Sequence, residues 1–327
     1  MLPDPAEAQT LFRQLIAGVA VDGALASGTV QAQQFFRIGT GGTAGTYYPV
    51  GGMIANAVSQ PGKIVVTAQA SNGPLANVTG IAGGALESGF SQADGASWAY
   101  TGRGEFESKP ATTGLRLIAN LYPESVHIVA RKGAGIKTVT DLKGKRVALD
   151  EPGSGTLINA RTILATYGIQ ESDIKPEYIK PNQAGDKLKD GSIDAFFFTG
   201  GSPAGAIAEL ASAGAGIDLI DIDGPQADAI RKSDGFFSPD LIAADTYKGI
   251  GVVKTLPVGA QWVTSDKADA NTVYEITQSL FAEAGQKAMG AGHPRGKFIT
   301  TENAIKGAGI PLHPGVEKFY KEAGLLK

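Results

Sequence analysis

Cysteine is absent from the 327 residues of this chain. The absence excludes disulfide bonds, metal sites built on thiolates and cysteine nucleophiles. It leaves the cellular compartment open, because exported proteins can also lack cysteine. A chain of this length can bury substantial hydrophobic cores without disulfides or metals, and its length favours two domains.

Histidine is scarce, and so are long apolar runs and excess positive charge. The three histidines, His127, His293 and His313, do not have the close helical spacing of a zinc motif, so no metal site is expected. No apolar run is long enough to span a bilayer. The net charge of −3 provides no basic surface for nucleic acid.

Acidic residues are missing between Asp22 and Glu87. Within this gap, residues 35–48 predict a short strand, a glycine-rich loop and a helix from Tyr48 to Gln60. The loop has the spacing of a dinucleotide fingerprint, but the acidic residue that would hold a ribose hydroxyl about 20 positions later is missing. No glycine loop continues as the Gly-Lys-Ser/Thr of a Walker motif. The gap therefore predicts no nucleotide cofactor and a binding site without negative charge near its ligand.

What the sequence does contain is a series of loops that each precede a helix. The unpaired amides and the positive dipole end of a first helical turn favour a bound anion by roughly 0.3–2 kcal/mol. After the first loop, Ser71–Pro74 is a second strand-to-helix turn, and residues 150–156 precede a helix that ends at Tyr167, with Ser154 or Thr156 as its cap. Residues 199–203 are called the third anion loop here, after the loops at residues 39–46 and 150–156. Ser202 is its predicted cap, and Pro203 is predicted in the first helical turn.

These repeated units predict an α/β fold with two lobes, each a mostly parallel sheet flanked by helices, and a ligand cleft between the lobes. Residues 35–127 with 248–327 are assigned to lobe I and residues 128–247 to lobe II. The chain crosses between the lobes at Val126–Arg131 and Gly249–Trp262. A single helix is predicted from Asn271 to Met289, with Asn271 as its cap.

Residues 1–34 stand apart from this pattern. Leu11–Val21 is mildly apolar, and Val30 and Ala32 supply the small residues that a signal peptidase prefers, with cleavage before Gln33. Acidic residues interrupt this segment, so an export signal and a helical or disordered extension stay open as interpretations.

Aromatic residues border two of the loops. One of Tyr47 and Tyr48 is expected to face the loop mouth, where its hydroxyl could bind a carboxylate, while the other packs inside. Phe197 and Phe198 alternate across one strand, so only one of them faces the cleft. Asp150 and Glu151 are interpreted as a solvated loop edge.

Six motifs resemble those of the TAXI-type substrate-binding proteins of TRAP transporters, in order along residues 35–327. They are Gly39–Thr43 with Tyr47–Pro49, Leu121–Glu124, Asp141–Val147, Pro152–Thr156, Ile193–Phe197 and Pro311–Gly315. The resemblance implies a monomeric periplasmic protein without enzymatic activity or cofactor. Such a protein delivers an organic anion, such as glutamate or 2-oxoglutarate, to a membrane permease driven by an ion gradient.

The resemblance also implies a set of ligand-binding residues. They are Gly41, Gly42, Thr43, Tyr47, Ser71, Asn72, Gln92, Ser154, Gly155, Thr156, Asn159, Phe198 and Gly200. The turn at Ala70–Gly73 and the strand end at Ser91–Asp94 depart from the family pattern, which leaves the ligand open. Two other functions also stay open: a ligand-sensing module for a receptor, and a two-domain enzyme acting on a carboxylated or phosphorylated metabolite. The enzyme would require a titratable residue at the centre of the cleft, and none is identified from the sequence.

Overall fold

The structure, a computed structural model, describes residues 33–214 and 216–326. All but the last two residues of the predicted leader lie outside this part. The strands are β1 (Gln34–Gly39), β2 (Ile64–Gln69), β3 (Ser88–Gln92), β4 (Leu115–Arg131), β5 (Arg146–Ala148), β6 (Lys175–Glu177), β7 (Ala195–Gly200), β8 (Ile217–Leu219), β9 (Asp240–Ile242), β10 (Val253–Thr255) and β11 (Pro257–Ser265). The helices are α1 (Tyr47–Val58), α2 (Pro74–Ala82), α3 (Ala93–Thr101), α4 (Gly155–Thr166), α5 (Pro181–Lys189), α6 (Gly205–Ser212), α7 (Gly224–Asp234), α8 (Ala270–Phe281), α9 (Glu283–Ala291) and α10 (Pro314–Glu322).

A continuous sheet runs through the described part of the chain in the order β2-β1-β3-β11-β4-β7-β5-β6, with β8 also paired to β4. The pairs at its two ends are parallel: β1 with β2 and β3, and β5 with β6 and β7. The strands β4 and β11 pair antiparallel with each other and with their other neighbours. The first half of β4 lies beside β11 and its second half beside β7 and β8, so this strand carries the chain between the lobes.

Separate hydrophobic cores lie on either side of the crossing strands. One core of lobe I joins buried side chains from Phe36 to Tyr122 with others from Ala260 to Tyr320. A second core contains buried side chains between Val126 and Val258, most of which lie in lobe II. Helices cover each half of the sheet, which is how α/β folds bury the apolar side chains of both sheet faces. The exact residue limits of the lobes stay a prediction.

Two helix predictions are wrong in detail. The helix predicted over residues 271–289 is two helices, α8 and α9, separated at Ala282, whose backbone is extended. The helices approach so closely that a Cβ on Gly285 would lie 2.3 Å from the carbonyl oxygen of Ser279. The cap of α8 is Asp269, whose Oδ1 accepts a hydrogen bond of 2.8 Å from the Thr272 amide.

The third anion loop also differs from its prediction. The helix α6 begins at Gly205, and neither Ser202 nor Pro203 forms its first turn. The Ala204 amide donates to the Tyr247 hydroxyl at 3.0 Å, and the Ser202 hydroxyl contacts His127 Nε2 at 3.1 Å. The Ser202 hydroxyl, which was expected to cap the helix, is therefore in contact with His127 instead.

Candidate functional site

A cavity of about 610 Å³, counting its open mouth, lies where the loops of the two lobes meet. Its walls come from the loops that follow β1, β2 and β5, from the ends of β3 and β7, and from β4. The carboxyl ends of parallel strands meet at one edge of a sheet, which is where open α/β sheets bind ligands. The site therefore lies where the predicted cleft was expected.

The loop after β1 supplies the largest set of open amides. Gly41, Gly42, Ala44 and Thr46 line the cavity, and among the hydrogen bonds of the described residues none is donated by their amides. The loop turns on itself through a 3.0 Å bond from the Gly45 amide to the Gly42 carbonyl. The positive end of the α1 dipole follows directly, so this wall is suited to an anionic group.

Hydrogen bonds within the protein already use some of the polar groups of the loop after β5. Ser154 caps α4, accepting a hydrogen bond of 3.1 Å from the Leu157 amide. Hydrogen bonds from the side chains of Ser154 and Thr156 lower the pKa of Asp150, but burial is the larger effect and raises that pKa to about 6. The carboxylate of Asp150 thus takes part of the donor capacity that was expected for the ligand.

A buried carboxyl group, Glu124, forms another part of the wall. Its side chain is 1% exposed, and its Oε2 accepts a hydrogen bond of 2.8 Å from the Tyr47 hydroxyl. Burial raises the pKa of Glu124 to about 8, against the opposing effect of hydrogen bonds from Tyr47 and Gln92. The Tyr47 hydroxyl, expected to bind a ligand carboxylate, therefore donates to a protein carboxyl group instead.

Direct contacts hold the lobes together around the cavity. The Thr46 hydroxyl donates to the Gly201 carbonyl at 2.8 Å, and the Leu75 amide donates to the Gly153 carbonyl at 3.0 Å. On another side, Arg295 Nε donates to the Ser202 carbonyl at 2.8 Å. Each bond joins a residue of lobe I to a loop of lobe II, so the structure is in a closed arrangement.

Most of the residues predicted to bind ligand lie together in this cavity. Those that line it are Gly41, Gly42, Tyr47, Asn72, Gln92, Ser154, Gly155, Thr156 and Phe198. Tyr48 is 38% exposed and does not line it, and Phe197 packs in a core of lobe II. In each aromatic pair, one residue therefore lines the cavity and the other does not.

Four predicted residues lie outside the lining. The side chain of Thr43 is exposed at the loop tip. The Ser71 hydroxyl donates to the Thr40 carbonyl at 2.9 Å, and Asn159 is fully buried and donates to Asp94 at 3.2 Å. Gly200 packs against the ring of Phe198, where a Cβ would lie 2.6 Å from the ring. Except for Thr43, these residues support the walls and do not form them.

The charged residues of the cavity were missed. Glu124, Asp150, Glu151 and Lys180 all line it, which contradicts the expectation of a site without negative charge. Asp150 is 9% exposed, so its interpretation as a solvated edge is also wrong. The Leu121–Glu124 motif contained the signal for Glu124, but a carboxylate in a strand does not reveal which face it points to.

Catalysis and metal binding each require a group of polar side chains in a defined arrangement. His127 and Ser202 are in contact, but His127 Nδ1 faces the Phe198 carbonyl at 3.3 Å where a triad would have a carboxylate, and neither residue lines the cavity. In residues 33–214 and 216–326, no group of three or more His, Asp or Glu side chains is placed to hold a metal ion. No helix in those ranges is long and apolar enough to cross a membrane.

Comparisons with known proteins place this geometry in context. A family model described as the NMT1-like family matches residues 38–324. Over 107 residues the chain is 30% identical to a putative aliphatic sulfonates-binding protein of Escherichia coli (strain K12). That match covers 33% of this chain and 28% of the relative, so it spans less than a third of the relative's length.

Two solved structures share the fold. PhnD1 of Prochlorococcus marinus (MIT 9301), in complex with methylphosphonate, has a TM-score of 0.52 at 10% identity, covering 90% of this chain and 99% of that one. A binding-protein component of an ABC phosphonate transporter from Pseudomonas aeruginosa has a TM-score of 0.51 at 10% identity, covering 79% and 78%. The predicted two-lobed α/β binding-protein fold is confirmed.

Proposed function

Because the chain belongs to the NMT1-like family, we propose that it is an extracytoplasmic solute-binding protein without enzymatic activity. It captures a small organic anion, such as glutamate or 2-oxoglutarate, between its lobes and delivers it to a membrane permease. The six sequence motifs add a finer part to the proposal: the permease is of the TRAP type, and the protein acts as a periplasmic monomer of the TAXI type.

The observation that carries the proposal is the cavity enclosed by both lobes. One wall presents the open amides of Gly41, Gly42, Ala44 and Thr46, and the opposite wall presents the first turn of α4. Micromolar capture requires about 8 kcal/mol in total. Several charge-assisted hydrogen bonds, with the rings of Tyr47 and Phe198 covering apolar parts of the ligand, supply an interaction of that order.

A panel of small anions tests this function. Carboxylates, amino acids, sulfonates and phosphonates are added to the purified protein, and thermal unfolding and calorimetric heat are recorded. A true ligand at a hundred times its Kd stabilises the folded state by about 2.7 kcal/mol. The double variant Ser154→Pro with Thr156→Val should bind that ligand more weakly, because it removes the cap and a hydroxyl from the cavity wall. A panel without any thermal shift or heat would contradict the proposal.

Sulfonate and phosphonate are a specific second class of ligand. The Escherichia coli relative is described as binding aliphatic sulfonates, and carboxylates, sulfonates and phosphonates all present anionic oxygens to backbone amides. The type of permease is tested by uptake into proteoliposomes. Uptake that follows an ion gradient supports the TRAP assignment, whereas uptake that requires ATP would replace it with an ABC transporter.

The rival enzyme now has a titratable residue to consider. Glu124 lies in the cavity wall with a pKa raised to about 8, a value that a general acid or base also has. Its Oε2 is engaged by the Tyr47 hydroxyl, and we assign it to ligand recognition. Incubating each binding ligand with the protein and following it by NMR separates the two, because an enzyme would convert the ligand and a binding protein would return it unchanged.

The membrane partner distinguishes a sensing role from a role in transport. A solute-binding protein of a transporter increases uptake by its permease in the proteoliposome assay, whereas a sensing module would bind the same ligand and leave uptake unchanged. Closure of the lobes is the signal in both cases.

A further inference from the structure

The cavity has more hydrogen-bond acceptors than an anion alone would use. Glu124 and Asp150 line it with side chains that are 1% and 9% exposed. Among the ion pairs of the described residues neither carboxyl group takes part, whereas Glu151 pairs with Lys180 at 3.3 Å. Burying a carboxyl group without a cationic partner is costly, so two of them in one cavity, Glu124 on β4 and Asp150 in the loop after β5, require a reason.

A neutral acceptor lines the same cavity. Gln92 is 2% exposed, and its Oε1 has no hydrogen-bond partner in the described part of the chain. A Cβ on Gly155 would lie 2.0 Å from that oxygen, so Gln92 points across the cleft at the first turn of α4. Buried polar atoms in folded proteins nearly always have partners, so an unpaired acceptor on a residue that lines the cavity is a candidate partner for a donor on the ligand.

We propose that Glu124, Asp150 and Gln92 form an acceptor cluster that selects ligands carrying a protonated nitrogen in addition to their anionic group. The proposal rests on the proposed binding function and names the residues that decide between ligands within it. The open amides of Gly41, Gly42, Ala44 and Thr46 hold the anionic end, and the acceptor cluster holds the cationic end. A dianion without a protonated nitrogen, such as glutarate, meets the carboxyl groups with negative charge only and is disfavoured.

The charges around Glu124 make this selection depend on protons. Its neutral neighbours are Tyr47 from α1, Tyr122 from β4 and Gln92 from β3. Asp94 from α3 adds negative charge near it, and Arg295 adds positive charge. With its pKa near 8, Glu124 is mostly protonated at pH 7. A cationic nitrogen favours the ionised form, so binding expels most of one proton at that pH.

The sign of the pH dependence follows from this release. As pH rises from 6 toward 8, less free energy is needed to ionise Glu124, so affinity for an amine-bearing ligand rises by up to about tenfold per pH unit. An amine-free anion gains nothing from the ionised carboxylate and should bind equally or more weakly as pH rises.

The test uses three matched pairs that differ in the amine: glutamate with glutarate, taurine with ethanesulfonate, and 2-aminoethylphosphonate with ethylphosphonate. Calorimetry is run on the wild-type protein and on Glu124→Gln, Asp150→Asn and the control Glu177→Gln, whose carboxylate pairs with Lys187 at 2.6 Å outside the cavity. We expect the amine-bearing member of the binding pair to bind at least tenfold more tightly. Glu124→Gln should reduce that preference at least fivefold, Asp150→Asn should reduce it to a smaller extent, and the control should keep it.

Proton release provides a measurement that does not depend on a variant that folds. The binding enthalpy of the wild-type protein at pH 7 is compared in buffers of different ionisation enthalpy, and a slope near one released proton is expected. Equal affinity within every pair, or a preference that survives in Glu124→Gln with no proton released, would overturn the acceptor cluster and leave the binding function intact. If none of the six compounds binds, both the cluster and the proposed function are wrong.

Discussion

The hydrogen bond between Thr46 and Gly201 gives the most direct test of lobe closure. Thr46 is 3% exposed, and its hydroxyl donates to the Gly201 carbonyl at 2.8 Å across the cleft. The substitution Thr46→Val keeps the shape of the side chain and removes the donor. In the closed form the Gly201 carbonyl then stays buried without a partner, whereas in an open form water reaches it.

The size of the effect follows from that difference. Leaving a buried acceptor unpaired costs about 1–3 kcal/mol, which shifts the closing equilibrium roughly 5- to 150-fold toward the open form. Because ligand binds tightly only between closed lobes, its apparent Kd should rise by a factor in that range. Calorimetry measures the Kd, and small-angle X-ray scattering of the ligand-free and ligand-bound protein measures the closed fraction.

A matched control lies within a single helix. The Thr166 hydroxyl donates to the Thr162 carbonyl at 2.8 Å inside α4, so Thr166→Val removes a similar bond without affecting the contact between lobes. The Kd of this control should stay within twofold of the wild-type value. If Thr46→Val binds ligand and closes as the wild-type protein does, or if both variants lose affinity equally, the reasoning about closure is refuted.

Three further changes test other parts of the structure. Gly155→Ala places a Cβ 2.0 Å from Gln92 Oε1 across the cleft, so ligand affinity should fall at least tenfold in calorimetry with little change in thermal unfolding; unchanged affinity would mean that the lobes do not close as described. Asn77→Ala removes a buried amide whose two Nδ2 hydrogens are shared among three backbone carbonyls at 2.7 to 3.0 Å, and urea unfolding should show a loss of about 2–4 kcal/mol; a loss below about 1 kcal/mol would contradict the role of these bonds. Burial lowers the pKa of His127 to about 4, so the unfolded state takes up a proton first as pH falls from about 6.5, and unfolding free energy should decrease toward pH 4. His127→Gln should show a smaller decrease over the same range, and an equal decrease would assign the effect to other groups.

The sequence predicted the elements whose signals are local. The strand and glycine loop before Tyr47 and the cap of α4 at Ser154 are where short-range patterns placed them. The single helix over residues 271–289 was wrong because apolar spacing continues through Ala282, whereas the break depends on the close approach of Gly285 to α8. Backbone contact between two helices leaves no mark in the periodicity of either one.

The sequence predicted the loop residues that line the cavity and missed its charged residues. Gly41, Gly42 and Gly155 come from strand-to-helix turns that sequence patterns locate. Glu124 and Asp150 come from segments with no such pattern, and each acquires its raised pKa from burial. Burial depends on what packs against a residue from other parts of the chain, so sequence distance does not predict it.

The sequence alone determined the class of fold, the positions of the strand-to-helix loops and the lack of an acidic residue in the region after the first loop, because these depend on residues near one another along the chain. Only the tertiary structure decided that the first loop faces two buried carboxyl groups and that Tyr47 donates to Glu124. Residues 77 positions apart meet there because β4 crosses between the lobes beside the N-terminus of α1. The same glycine loop therefore forms one wall of a cavity that also contains two buried carboxyl groups.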